Sequence, residues 1–245
     1  MQEIVYHSQF EAEDSYWWFI ARNRILEKTV RTFCELKPTL NLLDVGCGTG
    51  GFASLLKSDC NVIGIDTSDI ALDYSRKRGL TNLKNCYLNQ FDKNQYGKID
   101  AITMLDVIEH IEDDAKVVKE AYDLLDNGGY MFASVPAYQW LWSHHDEIHM
   151  HYRRYTVTRF KKLFRDAGFK VMYSSYFNTI LFPPAVLKRF IDKITGAGQK
   201  NDAPIDEVPD FVNNVFTKLF MLEKSLIPSV MLPFGLSIVL VAKKM

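Results

Sequence analysis

Residues 42–51 read Leu-Leu-Asp-Val-Gly-Cys-Gly-Thr-Gly-Gly (LLDVGCGTGG), a short apolar run that stops in a glycine loop. The run has the length of a buried strand. Glycines 46, 48 and 50 let the backbone turn tightly and approach a ligand that a Cβ would exclude. Residues 51–58 then read as a helix, whose first N–H groups would be free for that ligand. NVIGID (61–66) is a second buried strand, and SDIALDYSRKRG (68–79) a helix from a Ser/Asp cap to a glycine stop. NLKNCYLNQF supplies a third strand, KIDAITML (98–105) a fourth, EDDAKVVKEAYDLLDNGG an amphipathic helix and YMFASVP a fifth strand. Strands alternating with helices of this length predict βαβ units and a parallel sheet.

The flanks differ in character. Residues 17–36 read as an amphipathic helix ahead of the first strand, and 138–157 are aromatic and histidine-rich. A helix over 158–167 and a strand FKVMYSSYF follow. Residues 178–232 then break the rhythm with apolar, Pro-bounded helices around a polar link, GAGQKNDAPIDEVPD, before a last strand over 236–242. The reading divides the single 245-residue domain into an N-terminal lid (1–39), a core (40–177), a helical insertion (178–232) and a final strand segment (233–245).

Composition bounds the partners. With 29 basic and 30 acidic residues the net charge is −1, which speaks against nucleic acid, because phosphate binding usually needs a basic excess. None of the four cysteines forms a CxxC pair, and no signal-like start precedes the first helix, so a cytoplasmic, reducing setting is expected. Eighteen uncharged residues lie between Lys224 and Lys243, but two prolines, a glycine and three serines interrupt them. A buried strand is expected at their end rather than a membrane span. Aromatic residues make up 13% of the chain, a surplus concentrated in the flanks and in 138–155.

Asp44 and Asp66 narrow the ligand of the loop. Asp66 ends the second strand, where a carboxylate can accept from two ribose hydroxyls. Gly46, Gly48 and Gly51 satisfy the dinucleotide spacing. Asp44, however, would repel a pyrophosphate, whereas the sulfonium and ammonium of S-adenosylmethionine would welcome it. A nicotinamide oxidoreductase is therefore the weaker alternative, and a non-catalytic cofactor-binding protein of the same fold the other.

LDVGCGTG with GIDTS resembles the nucleotide-binding signature of class I S-adenosylmethionine-dependent methyltransferases, and VIEHIEDD, LLDNGGYMFASVP and DAGF match that family's later landmarks. The flanks YWWFIARNRIL, HDEIHMHYRRYT and PFGLSIVLVAKK resemble a bacterial subgroup associated with glycan and lipid-glycan biosynthesis. The resemblance implies an α/β, Rossmann-like seven-stranded sheet with an N-terminal helix and a helical insertion before the last strand. It implies that Asp44, Gly46, Cys47, Gly48 and Gly50 line the methionine and ribose side, that Asp66 holds the ribose and Thr67 borders the adenine, and that Leu105 sits under the sulfonium. The family usually has an acid after strand three. This chain has Asn89, Gln90 and Phe91 there, any of which could meet the adenine. Trp18 and Arg22 share a helix face, and Arg22 could meet the methionine carboxylate.

The acceptor side offers Asp106, Glu109 and His110 at spacing i, i+3, i+4, with His144, His145, His149 and His151 downstream. Asp106, His110 and His151 are the catalytic candidates. Asp106, Glu109 and His110, with one of the downstream histidines, are candidate ligands for a divalent metal, beside a structural role for the Glu-His pair. Residues 138–170 carry seven basic residues against three acids, and the resemblance groups His145, Arg153, Arg154 and Tyr155 on the acceptor. The expected reaction is O-methylation of a small-molecule, sugar or lipid-linked acceptor. Acceptor cap, dimer face and peripheral membrane contact all stay open for 178–232.

Overall fold

In the computed structural model, which describes residues 3–195 and 208–245, the first strand β1 (Asn41–Val45) lies inside a seven-stranded sheet, next to its central strand β4 (Ala101–Leu105). On its other side β1 meets β2 (Asn61–Asp66), and both pairings are parallel. The order is β3-β2-β1-β4-β5-β7-β6, with β3 (Leu83–Asn85), β5 (Tyr130–Pro136), β6 (Lys170–Phe177) and β7 (Ser237–Lys243) completing it. β7 runs antiparallel to both β5 and β6.

Successive residues of a strand face opposite sides of the sheet, so Leu42 and Leu43 enter two different cores. Leu43, Ile63, Ile102 and Met131 pack with Val118 of α4 (Asp114–Leu124) and with Phe160 and Phe164 of α6 (Val157–Asp166). Leu42, Val62, Ala101 and Phe132 pack with Ile25 and Leu26 of α2 (Trp17–Phe33) and with Phe220 of α8 (Asp210–Met221). Helix starts follow the capping chemistry of the sequence. Ser68 accepts from the Ala71 N–H at the start of α3 (Asp69–Lys77), Asp113 from Lys116 at α4, and Thr156 from Arg159 at α6.

Several expectations shift. Residues 51–58 form only a 3₁₀ turn over Ala53–Leu55. The third strand shrinks to three residues, and the fourth starts three residues later than expected. An unforeseen helix, α1 (Glu3–Ala12), precedes α2, and a short α5 (His144–Ile148) follows β5. The insertion forms α7 (Phe182–Thr195), α8 and α9 (Glu223–Leu226). Residues 196–207 of the expected polar link lie outside the described residues. α8 is more than a cover: Trp17 meets Phe216 with ring centroids 5.4 Å apart, and Phe220 stacks on Phe177 of β6. The uncharged stretch after Lys224 breaks at a cis Ile227–Pro228 bond and ends in β7. Among the described residues no helix is long and apolar enough to cross a membrane.

Candidate active site

The carboxyl ends of β1, β2 and β4 open into a cavity of about 1760 Å³. Open parallel sheets place ligands at these strand ends, where the order reverses between β1 and β4. The glycine loop forms the floor. Gly46 has φ +66°, and a Cβ there would lie 2.6 Å from Val107 Cγ2, so only glycine fits. At Gly48 (φ +55°) a Cβ would meet only Gln9 Nε2, at 3.5 Å, so the space beside it is open, while its N–H donates to Asp66 and its carbonyl accepts from Ser75. Cys47 and Thr67 line the same wall. Gly50, expected beside them, instead turns under α3 against Ser75 and Leu80 and does not reach the cavity.

Asp44 is buried at the cavity edge and accepts from Thr103 Oγ1 at 2.6 Å. Burial pushes its carboxyl up to about 7, with the Thr103 bond and Arg22 opposing. Asp66 accepts from the Gly48 N–H (3.0 Å) and the Ser68 N–H (2.9 Å), one on each oxygen, leaving each oxygen a further lone pair. Asn89 lines the cavity, but Gln90 and Phe91 do not. Gln90 accepts from the Tyr87 N–H, and Phe91 is buried in the core, stacked on Tyr96. Leu105, Trp18 and Arg22 line the wall. Arg22 is already committed: its guanidinium bonds Asp106 Oδ2 from Nε (2.8 Å) and NH2 (2.5 Å), bonds Asn23 from NH1, and lies 5.4 Å from the Trp18 ring centre.

Sequence reasoning missed the contribution of α1. Val5, Tyr6, Gln9 and Glu13 all line the cavity. Glu13 accepts from Thr49 Oγ1 at 2.6 Å and pairs with Arg78 at 3.3 Å, which ties the segment after α1 to the glycine loop and α3. The Tyr6 hydroxyl is pushed up to about 12 by burial and by the charge of Asp66. The alternation of polar and apolar side chains in the opening residues is too irregular to mark a buried face.

On the other side of the cavity, β4 ends at Asp106, which has φ +58°, and turns into the 3₁₀ segment Ile108–His110. The Glu109 carbonyl accepts from the Tyr152 N–H at 2.8 Å and draws the 149–152 loop against it. Glu109, His110 and His151 thereby offer ligand atoms within 4.8 Å of one another. Of the expected set, Glu109 and His110 come together with His151 as the distant histidine, while Asp106 stays out of the group because Arg22 holds its carboxylate. Burial and the neighbouring His151 lower the His110 imidazole to about 4, so it is neutral at neutral pH. His145, also on the cavity wall, is lowered to about 3, first by burial.

The arginine pair divides. Arg154 reaches the cavity wall but is buried, with Nε and NH2 on the two oxygens of Asp146 at 2.7 and 2.8 Å. Arg153 and Tyr155 leave the cavity altogether. Arg153 bonds Asp114 at 3.0 Å and the Glu112 carbonyl, and the buried Tyr155 hydroxyl donates to Asp114 at 2.8 Å. Both hold the 151–156 segment against α4 rather than an acceptor, a correction that follows from where Asp114 sits. Across the cavity, Pro184, Ala185, Lys188 and Arg189 of α7 and Phe216 of α8 close the far wall. Glu223 of α9 anchors that wall by accepting from the N–H groups of residues 178, 179 and 180.

A family profile described as "Methyltransferase domain" matches residues 17–174. The chain belongs to this family, with the class I S-adenosylmethionine-dependent strand order. It is 30% identical over 149 residues to the ubiquinone biosynthesis O-methyltransferase of Acinetobacter baumannii (strain AYE), covering 55% of this chain and 62% of that protein. The fold is shared with two solved structures. One is the [4+2]-cyclase SpnF (TM-score 0.58, 18% identity, 91% of this chain and 80% of that one). The other is the geranyl diphosphate C-methyltransferase of Streptomyces coelicolor A3(2) (TM-score 0.58, 14% identity, 90% and 78%).

Proposed function

We propose that the protein transfers the methyl group of S-adenosylmethionine to an oxygen of a small organic acceptor. One observation carries this reading: the glycine-loop wall with Asp44 and Asp66, and the Asp106–His110–His151 wall, face a single cavity. The residues fit the cofactor. Gly48 leaves open space beside the loop, Asp66 has lone pairs for a diol, and Asp44 is a buried acid that a cationic ligand would ionise. Asn89 and Thr67 border the adenine in this reading, and Cys47 and Leu105 flank the methionine. When bound, the cofactor supplies a methyl carbon activated by its sulfonium.

The chain's own residues supply position and charge. Arg22 fixes Asp106 at the end of β4, where a carboxylate can take the proton of an acceptor hydroxyl. His110 and His151 occupy the same wall, and His145 and Arg154 border the acceptor space. The described residues before 40 close the cofactor side as a lid, the core 40–177 carries the cofactor, α7, α8 and α9 close the acceptor side as a cap, and 233–245 supply the last strand. Leu187, Phe190, Phe211 and Met231 are more than half exposed on that cap. Such a face supports an apolar or lipid-linked acceptor, in line with the glycan and lipid-glycan resemblance of the flanks, and peripheral contact with a membrane.

The test is a thermal-shift comparison followed by product analysis. S-adenosylmethionine and S-adenosylhomocysteine should raise Tm while NAD does not. Acceptor-dependent formation of S-adenosylhomocysteine should then appear on screening hydroxylated aromatics and lipid-linked sugars. Absence of any shift with either sulfur ligand would overturn the reading.

A further inference from the structure

Glu109 is an anomaly that methyl transfer does not require. Its side chain is fully buried, and neither carboxylate oxygen has a hydrogen-bond partner among the described residues. An isolated carboxylate costs several kcal/mol to bury, so such a group normally finds a counter-charge or a proton. The nearest arginines are engaged elsewhere, Arg22 with Asp106 and Arg154 with Asp146. What faces Glu109 instead is a pair of imidazoles, His110 and His151, with ring centroids 4.6 Å apart.

These imidazoles are arranged to present lone pairs. His151 Nδ1 lies 2.9 Å from Asp146 Oδ1. Asp146 is buried and fixed by Arg154 and by the Ser143 N–H. With Nδ1–H on that carboxylate, Nε2 is the bare nitrogen. A carboxylate behind a histidine, setting its tautomer and ring orientation, is the usual outer support of a metal-binding imidazole. His110 lies edge-on to His151 on the same wall.

We propose that Glu109, His110 and His151 bind one divalent first-row transition cation, with positions left open toward the cavity for an acceptor oxygen. Two nitrogens and one carboxylate suit manganese, iron, cobalt or zinc rather than magnesium or calcium, which prefer all-oxygen shells. The ligand atoms lie within 4.8 Å of one another, and a cation would draw them in to the ~2.0–2.2 Å bonds that such ions make. Asp106, held out by Arg22, stays beside the site as a proton acceptor and not as a ligand. Occupancy by the cation stands by itself; its contact with the acceptor rests on the methyl-transfer reading.

The experiment uses the full chain, stripped with a chelator and then dialysed. Co²⁺ is followed by its visible absorption and Mn²⁺ by loss of the free-ion EPR signal, with S-adenosylhomocysteine binding measured in parallel by calorimetry. One equivalent of each ion should bind. Glu109→Gln and His151→Gln should each weaken Mn²⁺ affinity at least tenfold while binding S-adenosylhomocysteine as the parent does. Asp106→Asn should keep Mn²⁺ affinity within about threefold. Failure of the parent protein to bind either ion while it binds S-adenosylhomocysteine would overturn the cation site and leave the methyl-transfer reading intact. Cation binding without binding of either sulfur ligand would do the reverse. A His151→Gln variant with unchanged affinity, or an Asp106→Asn variant that loses it, would overturn the assignment of ligands.

Discussion

At the ends of β1 and β2 the cavity wall is mostly backbone, shaped by residues that lie close together in sequence. Gly46, Gly48 and Asp66 fall within one strand–loop–strand unit, and Asp66 is tied to Gly48 across only eighteen residues. The opposite wall is held by ion pairs: Arg22 with Asp106 and Arg153 with Asp114 join segments far apart in the chain, and Arg154 with Asp146, the most buried pair, closes a local turn. The first wall needs the right backbone; the second needs every partner present. A backbone cradle tolerates change around it, whereas a network of buried charges fails when one member is removed, because the other is left uncompensated.

The sharpest way to break this contrast is Arg154→Ala. Asp146 is fully buried and accepts two bonds from Arg154. Leaving it without that partner should cost about 3–5 kcal/mol of unfolding free energy, read by urea denaturation at pH 7. Burial opposes ionisation of Asp146, but the bonds from His151 and Arg154 win and hold its carboxyl below the usual range. A lowered native pKa gives stability that is present above the ordinary carboxylate range near 4 and is lost as pH falls below it. The parent should therefore lose more stability than the variant between pH 5 and pH 3. A loss under about 1 kcal/mol at pH 7 would mean that the wall does not depend on the pair.

On the cofactor side the corresponding change is Asp44→Asn, with a smaller and different effect. The fold should survive, since Thr103 can still donate to an amide oxygen. Affinity for S-adenosylmethionine should fall about 10–100-fold, or about 1.4–2.8 kcal/mol. The parent should bind more tightly as pH rises through about 7, because a cationic ligand prefers the ionised carboxylate, and the variant should show a flat profile. Without ligand the sign reverses: a carboxyl raised by burial makes the folded chain less stable as pH climbs from about 4 through 7. Calorimetry across pH 6–8 reads the first effect, and denaturation across pH 4–7 the second. Equal affinity in parent and variant would remove Asp44 from the cofactor's environment.

The same contrast governs how much could be read from the sequence. The glycine loop, the twenty-two-residue step from Asp44 to Asp66 and the alternation of strands and helices are local signals, and the sheet followed from them. YMFASVP became β5 residue for residue. Which of Asn89, Gln90 and Phe91 meets the cavity is not legible because a residue beyond a strand can face either the ligand or the core, and Phe91's partner Tyr96 lies just past the next 3₁₀ turn. Arg153 and Tyr155 looked like anion binders because the acid that claims them, Asp114, is about forty residues earlier in the chain. His151 entered the cluster with Glu109 and His110 only through a backbone bond between residues 109 and 152. Helix α1 was missed because its few buried positions carry no clear period.

The finest test of the two-wall picture is Tyr155→Phe, which separates support of the acceptor wall from contact with the acceptor. The Tyr155 ring is 1% exposed, and its hydroxyl donates to Asp114, which also receives Arg153. Removing one hydroxyl leaves Asp114 a charged partner, so the loss should be about 1 kcal/mol of stability, as for an ordinary buried hydrogen bond. The ring stays packed on Phe160, and Arg159 stays near its face. Once an acceptor is in hand, its KM should change less than about twofold, because the hydroxyl points away from the cavity toward α4. A rise in KM of tenfold or more at unchanged Tm would return Tyr155 to the acceptor. It would also show that the 151–156 segment moves when the acceptor binds, carrying the loop that holds His151 with it.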